Sequence, residues 1–315
     1  MIGSAPTGGD VLAVDVGGSS IKAARYDQHG RPSNACRVPT PPPARLADEL
    51  TDLARRLCGP DTAAVGVVTP GVVEDGVLRY ATNLGVRDLP LRELVSQAVA
   101  LPTVLGQDVA AAALAESAAV AADLLFVGIG TGIAAGLVTD GRVWRGAGGM
   151  AGELGHVRVV TGGEPCACGQ HGCLEVYASA AGIARRYADA TGISGRPALD
   201  AAAVVDRVAG DPVAAMVWGQ ALDALCDALA TAVQLLDPAM VVLGGGLATA
   251  GTALLDPVRA GLRARLRWRP APEIRLAVLG ADAGRAGAAL LAWRLLSDLA
   301  AAGDGAGRPE KGVVR

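Results

Sequence analysis

Three cysteines crowd into one short loop, Cys166-Ala167-Cys168-Gly169-Gln170-His171-Gly172-Cys173. In a cytosolic protein, thiols at such spacing point to a metal before a disulfide. With one imidazole they make four soft or borderline donors, the ligand set of a closed, tetrahedral, structural Zn²⁺ site. Two histidines are candidates for the fourth place: His156, upstream of the loop, and His171, inside it. Gly162, Gly163, Gly169 and Gly172 give the loop the freedom to fold back on itself. Glu153 lies three residues before His156, so a single helical turn would put its carboxylate and the imidazole on one face. The other cysteines, Cys36, Cys58 and Cys226, stand alone in apolar or helical surroundings and are expected to be buried thiols.

Glycine turns form a second constellation. Gly17-Gly18, Gly130-Thr131-Gly132 and Gly244-Gly245-Gly246 each follow an apolar run that reads as a strand. Consecutive backbone N–H groups in such turns make concave anion sites. Three of them suggest a nucleotide rather than three unrelated loops. No Gly-Lys-Ser/Thr follows any of them and no GxGxxG opens the first βα turn, so the cradle is of neither P-loop nor Rossmann type. Asp108 is placed between a short strand and an alanine-rich helix, where a carboxylate is expected to act as N-cap.

These groups are carried by alternating strands and helices, the pattern of an α/β fold with a partly parallel sheet. Strands are expected at 11–16, 21–26, 63–68, 103–106, 125–129, 240–243 and 273–279. Helices are expected at 44–57, 91–100, 109–122, 178–191, 201–209, 212–236, 252–266 and 283–302. A strand–glycine turn–strand unit occurs twice, at Leu12 to Asp27 and at Leu125 to Asp140, with each Asp ten residues after the glycine that opens the turn. That repeat suggests two related domains facing each other.

Composition narrows the classes further. The 315 residues are enough for two domains and a large core, built from Ala, Val and Leu because aromatics are only 3%. A net charge of −3 without a basic run argues against a nucleic-acid binder. No run of apolar residues is long enough to span a membrane and Met1 to Gly9 lacks the features of a secretory signal, so a cytoplasmic location is expected.

The glycine turns and the cysteine loop together carry a family resemblance. Asp15-Val16-Gly17-Gly18-Ser19-Ser20 resembles the first phosphate loop of the sugar kinase, heat-shock chaperone and actin superfamily. Val127 to Gly132 resembles its second phosphate loop, and Val241 to Leu247 its adenosine loop. Gly152-Glu153-Leu154-Gly155-His156 followed by Cys166 to Glu175 resembles the signature of the ROK family (repressors, open reading frames and kinases), and the similarity runs from about Val11 to Ala302.

The resemblance implies a two-domain actin-like (ribonuclease H-like) ATPase fold with duplicated sheets and an interdomain cleft. The domains would be residues 1–120 joined by helix 283–302, then 121–282, with 303–315 a disordered tail. It implies a kinase transferring phosphoryl from ATP, with Mg²⁺, to a hydroxyl of a hexose or similar polyol. Asp108 would be the general base. Asp15, Gly17, Gly18, Ser19, Ser20, Lys22, Gly130, Thr131, Gly132, Gly244, Gly245 and Gly246 would bind ATP, with Asp15 orienting Mg²⁺ through water. Gly71, Asn83, Gln107, Asp108, Glu153, His156 and Glu175 would contact the acceptor. The family pattern selects His156 over His171 as the zinc ligand beside Cys166, Cys168 and Cys173. The second ring nitrogen of His156 would then be a fixed donor to the acceptor. Family members are often homodimers or homotetramers.

Departures from the family pattern bear on the acceptor. Gln107 replaces an asparagine, Ala134 and Ala135 replace common glycines, and Val86-Arg87 stands where an aromatic is usual. The first and last suggest an acceptor other than plain glucose, such as a secondary-metabolite C7-cyclitol, an N-acetylhexosamine or another modified sugar. Family repressors carry an N-terminal helix-turn-helix, for which the residues before the first strand leave no room, so a sugar-binding regulator would be one without DNA binding. A polyphosphate donor would call for a basic groove, and the sequence offers none.

Overall fold

The computed structural model describes residues 9–192 and 199–305. The chain divides into two compact units, one ending at Ala111 and resuming at Gly284, the other running Ala112–Ala283.

In the first unit, β1 (Asp10–Val16), β2 (Ser20–Asp27) and β3 (Pro32–Pro39) form an antiparallel meander. Helix α1 (Leu46–Leu57) leads to β4 (Thr62–Thr69), which lies parallel to β1. The short strands β5 (Val72–Glu74), β6 (Val77–Ala81) and β7 (Val86–Leu89) form a separate sheet. Helix α2 (Leu91–Val99) then leads to β8 (Thr103–Gln107), parallel to β4, and α3 (Asp108–Val120) follows directly. The main sheet has the order β3-β2-β1-β4-β8. Helix α1 shows why such segments fold as they do. Leu46, Leu50, Leu53 and Ala54 are buried at helical spacing, Asp48 and Glu49 sit in its first turn, and Arg55 and Arg56 in its last. One apolar stripe meets the sheet, and the charges complement the helix dipole at both ends.

The second unit opens with another meander, β9 (Leu124–Ile129), β10 (Ile133–Thr139) and β11 (Arg142–Val143). After the cysteine loop come α4 (Leu174–Ala178), α5 (Ala180–Thr191), α6 (Ala201–Val205) and α7 (Pro212–Leu236). Strand β12 (Met240–Gly244), α8 (Thr252–Arg265) and β13 (Glu273–Leu276) complete a sheet of order β11-β10-β9-β12-β13. Helix α9 (Ala283–Gly305) belongs almost wholly to the first unit, where Ala288, Ala289, Ala292 and Trp293 pack with Val11, Ala13 and Val68. The two sheets thus share one strand order, and the repeated strand–turn–strand unit occupies the same place in each.

Helix α7 is the one helix among the described residues long and apolar enough to cross a membrane by length and composition. It is a core helix here. Ala214, Val217, Trp218, Ala221, Leu225, Ala228, Leu229 and Val233 form its buried face. On its other side Asp223 and Asp227 pair with Arg265 of α8 at 3.3 and 2.6 Å.

Several elements depart from the sequence expectation. Strand β3 and the sheet β5–β7 were not anticipated. The helix expected at 178–191 is α5, which starts two residues later at Ala180; Ser179 separates it from the short α4 and caps it through the Gly182 N–H at 2.9 Å. Helix α9 continues through Gly305, so the tail expected from 303 does not begin there; 306–315 lie outside the described residues.

A fully buried carboxylate organises the second unit. Glu116 of α3 is 0% exposed and accepts the Val278 and Leu279 N–H groups at 3.0 and 2.8 Å, pinning the segment after β13. Glu116→Leu takes the acceptor from both N–H groups; Val278 is exposed and Leu279 half-buried, so water replaces part of the loss and the cost should stay near the ~1 kcal/mol of an ordinary hydrogen bond for each. Denaturant unfolding should register that loss, whereas Glu116→Gln, which keeps an acceptor, should lose less.

Candidate active site

In the first unit the register fixes where the candidate residues emerge. Asp15 pairs with Val68, Val68 with Gly106, and Thr69 with Gln107 across the parallel strands β1, β4 and β8. The Gly17–Ser20 turn, the Pro70-Gly71 turn and Asp108 therefore all leave the carboxyl edge of one sheet. That edge is where open α/β sheets bind ligands. The first turn is closed by the Gly17 N–H donating to Ser20 O at 3.0 Å, and the Thr40 hydroxyl donates to Gly17 O at 2.6 Å. Gly18 and Asn83 are in near contact: a Cβ on Gly18 would lie 3.6 Å from Asn83 Cβ. Lys22 is directly opposite Asp15 on β2, with Nζ 4.0 Å from Oδ2. The Asp15 carboxylate also lies against Gly284, at the start of α9, where the helix dipole favours negative charge.

Asp108 corrects the sequence reading in one respect. It is the first residue of α3 rather than its N-cap. The cap is Gln107, whose Oε1 accepts the Ala110 N–H at 2.6 Å, while Asp108 Oδ1 accepts the Val109 N–H at 2.7 Å. Thr69, missed in the sequence, is fully buried opposite Gln107, and its hydroxyl has no hydrogen-bond partner among the described residues. A buried hydroxyl left open at the end of β4 is a polar group with unused capacity.

In the second unit, Val127 pairs with Leu243 and Gly128 with Gly244, so the Gly130–Gly132 and Gly244–Gly246 turns also leave a carboxyl edge side by side. Between them there is no space for a side chain: a Cβ on Gly245 would collide with Ile129 O.

The cysteine loop gathers four donors. His156, Cys166, Cys168 and Cys173 offer ligand atoms that all lie within 4.8 Å of one another. Cys166 Sγ is 3.8 Å from His156 Nδ1, and Cys168 Sγ is 3.7 Å from Cys173 Sγ. A tetrahedron with metal–sulfur arms of about 2.3 Å has edges of about 3.8 Å, so the donor set fits a closed four-coordinate ion. Burial pushes the Cys173 thiol up to about 12, and the Gln170 N–H holds Cys168 below the ordinary thiol range. A divalent cation supplies the charge that keeps such thiols ionised. His171 stands outside the group, exposed and bridged to Pro165. The sharp return of the loop depends on Gly172, with φ +78° and Val160 O where a Cβ would sit.

Residues outside the family signature also hold this loop. The Glu164 carboxylate takes Arg185 Nη2 at 2.6 Å and Arg186 Nε at 2.7 Å. The Glu164 N–H donates to Tyr177 OH at 2.8 Å, and Arg186 lies over the Tyr177 ring. None of these four residues carries a local signal in the sequence, because Glu164 stands thirteen residues from Tyr177 and more than twenty from the two Arg.

His156 ends a short 3-10 turn that begins after Glu153, and its Nε2 lies 4.0 Å from Glu153 Oε2. Nδ1 faces the thiols, so Nε2 and the Glu153 carboxylate are presented together. Glu175, in the first turn of α4, does not cap that helix; its Oε2 accepts the Ile133 N–H at 2.8 Å.

Two sheets of one strand order, each delivering glycine turns at its carboxyl edge, define the actin-like ATPase class of folds. Within that class, the ROK family profile matches residues 11–294, and the chain belongs to the ROK family. A glucokinase of Halalkalibacterium halodurans is 35% identical over 304 residues, covering 87% of this chain and 92% of the relative. The ROK hexokinase of Thermus thermophilus superposes with a TM-score of 0.81 at 37% identity, over 92% of this chain and 99% of that one. A ROK glucokinase of Streptomyces griseus, solved with glucose and AMPPNP, gives 0.79 at 33% identity, over 91% of this chain and all of that one.

Proposed function

We propose that the protein is an ATP-dependent kinase of a hexose or hexose-like polyol, with Asp108 as general base. The observation that carries this reading is the common carboxyl edge from which the Gly17–Ser20 turn, the Pro70-Gly71 turn and Asp108 emerge. The relatives named above support it: two are called glucokinase and one hexokinase, and one was solved with an ATP analogue and glucose.

In this reading the Gly17–Ser20 and Gly130–Gly132 turns bind the phosphates through backbone N–H groups, and the Gly244–Gly246 turn binds the adenosine. Lys22 adds positive charge near the first turn. Mg²⁺, when bound near Asp15, neutralises charge developing on the phosphate oxygens. Gly71, Asn83, Gln107, Glu153, His156 and Glu175 orient the acceptor. Carboxylates suit that task because each accepts two hydroxyl hydrogen bonds. Asp108 takes the proton of the attacking hydroxyl as the γ-phosphoryl passes in line through a loose transition state. Positioning and electrostatics then supply most of the rate, and the base a factor of about 10²–10⁴. His156, Cys166, Cys168 and Cys173 hold a structural Zn²⁺ that fixes the His156 ring.

Gln107 and Val86 favour an acceptor that differs from plain glucose. ADP release measured across hexoses, N-acetylhexosamines and cyclitols identifies it, and at least one should give turnover. Tight sugar binding without ADP from any of them would mark a regulator instead.

A further inference from the structure

We infer that Glu175 is a positioning residue for the Gly130–Gly132 turn, so that one carboxylate serves both the acceptor and the nucleotide in the second unit. The inference rests on the reading of that turn as a phosphate site.

The turn is held from the α4–α5 side. Its own closure is the Gly130 N–H donating to Gly132 O at 2.9 Å. The Ala180 N–H, at the start of α5, donates to Gly130 O at 2.8 Å. Glu175 Oε2 takes the Ile133 N–H at 2.8 Å. With Gly130 and Ile133 engaged, Thr131 and Gly132 are left to offer backbone N–H groups to an anion. The carboxylate thereby decides which donors remain and fixes their direction.

Close approach is built in. A Cβ on Gly132 would lie 2.5 Å from Glu175 Oε2, so the carboxylate fills the space a side chain would need. Gly132 has no positive φ to account for it; room for Glu175 does.

Glu175 is itself anchored. The Leu174 N–H donates to Val157 O at 2.9 Å, which ties the first turn of α4 to the residue after His156. Gly155 packs on Ile133 from the other segment, with Ile133 O in the space its Cβ would need. No second hydrogen bond to the Glu175 carboxylate forms among the described residues, which leaves Oε1 for an acceptor hydroxyl. A carboxylate this close to a phosphate turn repels the anion. The charge therefore has a use only if something else, the acceptor, requires it. The hydrogen bond alone needs only an oxygen.

Two substitutions separate these roles. Glu175→Gln keeps an oxygen for the Ile133 N–H and removes the charge; Glu175→Leu removes both. The test is calorimetric binding of AMPPNP with Mg²⁺ to the full-length metal-loaded chain without acceptor, with hydrogen exchange followed over residues 127–139. Wild type and Glu175→Gln should bind with similar affinity, the Gln variant equally or more tightly. Glu175→Leu should bind roughly tenfold more weakly, with faster exchange in that segment. If Glu175→Leu fails to fold, Glu175→Ala, which also removes the oxygen that holds the Ile133 N–H but adds no bulk, should show the same loss. A folded Glu175→Leu chain that binds AMPPNP like wild type, with unchanged exchange, overturns the inference while leaving the kinase reading intact. A wild-type chain that binds no AMPPNP overturns both.

Discussion

Asp108→Asn should lower turnover by about 10²–10⁴-fold while leaving acceptor and nucleotide affinity within a small factor of wild type. The substitution preserves shape. The asparagine amide keeps an oxygen for the Val109 N–H, and the Gln107 cap on Ala110 is untouched, so α3 and its buried Glu116 anchor should stay in place. What disappears is the proton acceptor. In the loose transition state of phosphoryl transfer, proton removal is one part of a rate set mainly by positioning, so some residual activity is expected. Single-turnover rates with equilibrium sugar binding separate the two effects, and the melting temperature should not move. Near-normal turnover would remove Asp108 from the chemistry.

The second large effect concerns the metal. The chain as isolated should contain one zinc per molecule, and Cys173→Ala should lose it. Cys173 is buried and its sulfur lies against Cys168, so its removal opens the centre of the ligand set rather than its rim. Structural zinc sites contribute folding free energy directly, and the loss should exceed about 4 kcal/mol in denaturant unfolding. The Glu164, Arg186 and Tyr177 contacts should keep part of the loop in place, so the second unit should not unfold outright. Acceptor affinity should fall further than nucleotide affinity, because in the proposed site the ion is what fixes the His156 ring. Elemental analysis of both proteins, followed by separate binding measurements, checks each step.

Much of this architecture was legible in the residues. The repeated strand–glycine turn–strand unit announced two like sheets, because its glycines and apolar runs are local signals. The cysteine loop was legible for the same reason, and only the choice between His156 and His171 needed more than spacing. Other features were less accessible. The sheet β5–β7 did leave a trace in Asp75-Gly76, a two-residue hairpin turn in which both residues have positive φ. The flanking strands are only three and five residues long, too short for alternation to mark them. Helix α4 is only five residues long, too short for a helical period to mark it off from α5. Gln107 as the cap could not be foreseen, since Asp is the stronger capping type and the choice depends on where the strand ends. The hydrogen bond from Ile133 to Glu175 joins residues 42 apart and leaves no periodic mark on the sequence.

Phosphoryl transfer to a sugar or polyol hydroxyl, with Asp108 as the proposed base, can be followed on phosphorus itself. It is tested most directly by ³¹P NMR of the zinc-loaded chain incubated with MgATP and each candidate acceptor. A new phosphomonoester resonance should appear with at least one acceptor, growing as the γ-phosphate signal falls, and none should appear with Asp108→Asn on the same timescale. Loss of γ-phosphate to free inorganic phosphate alone, with every acceptor unmodified, would contradict it.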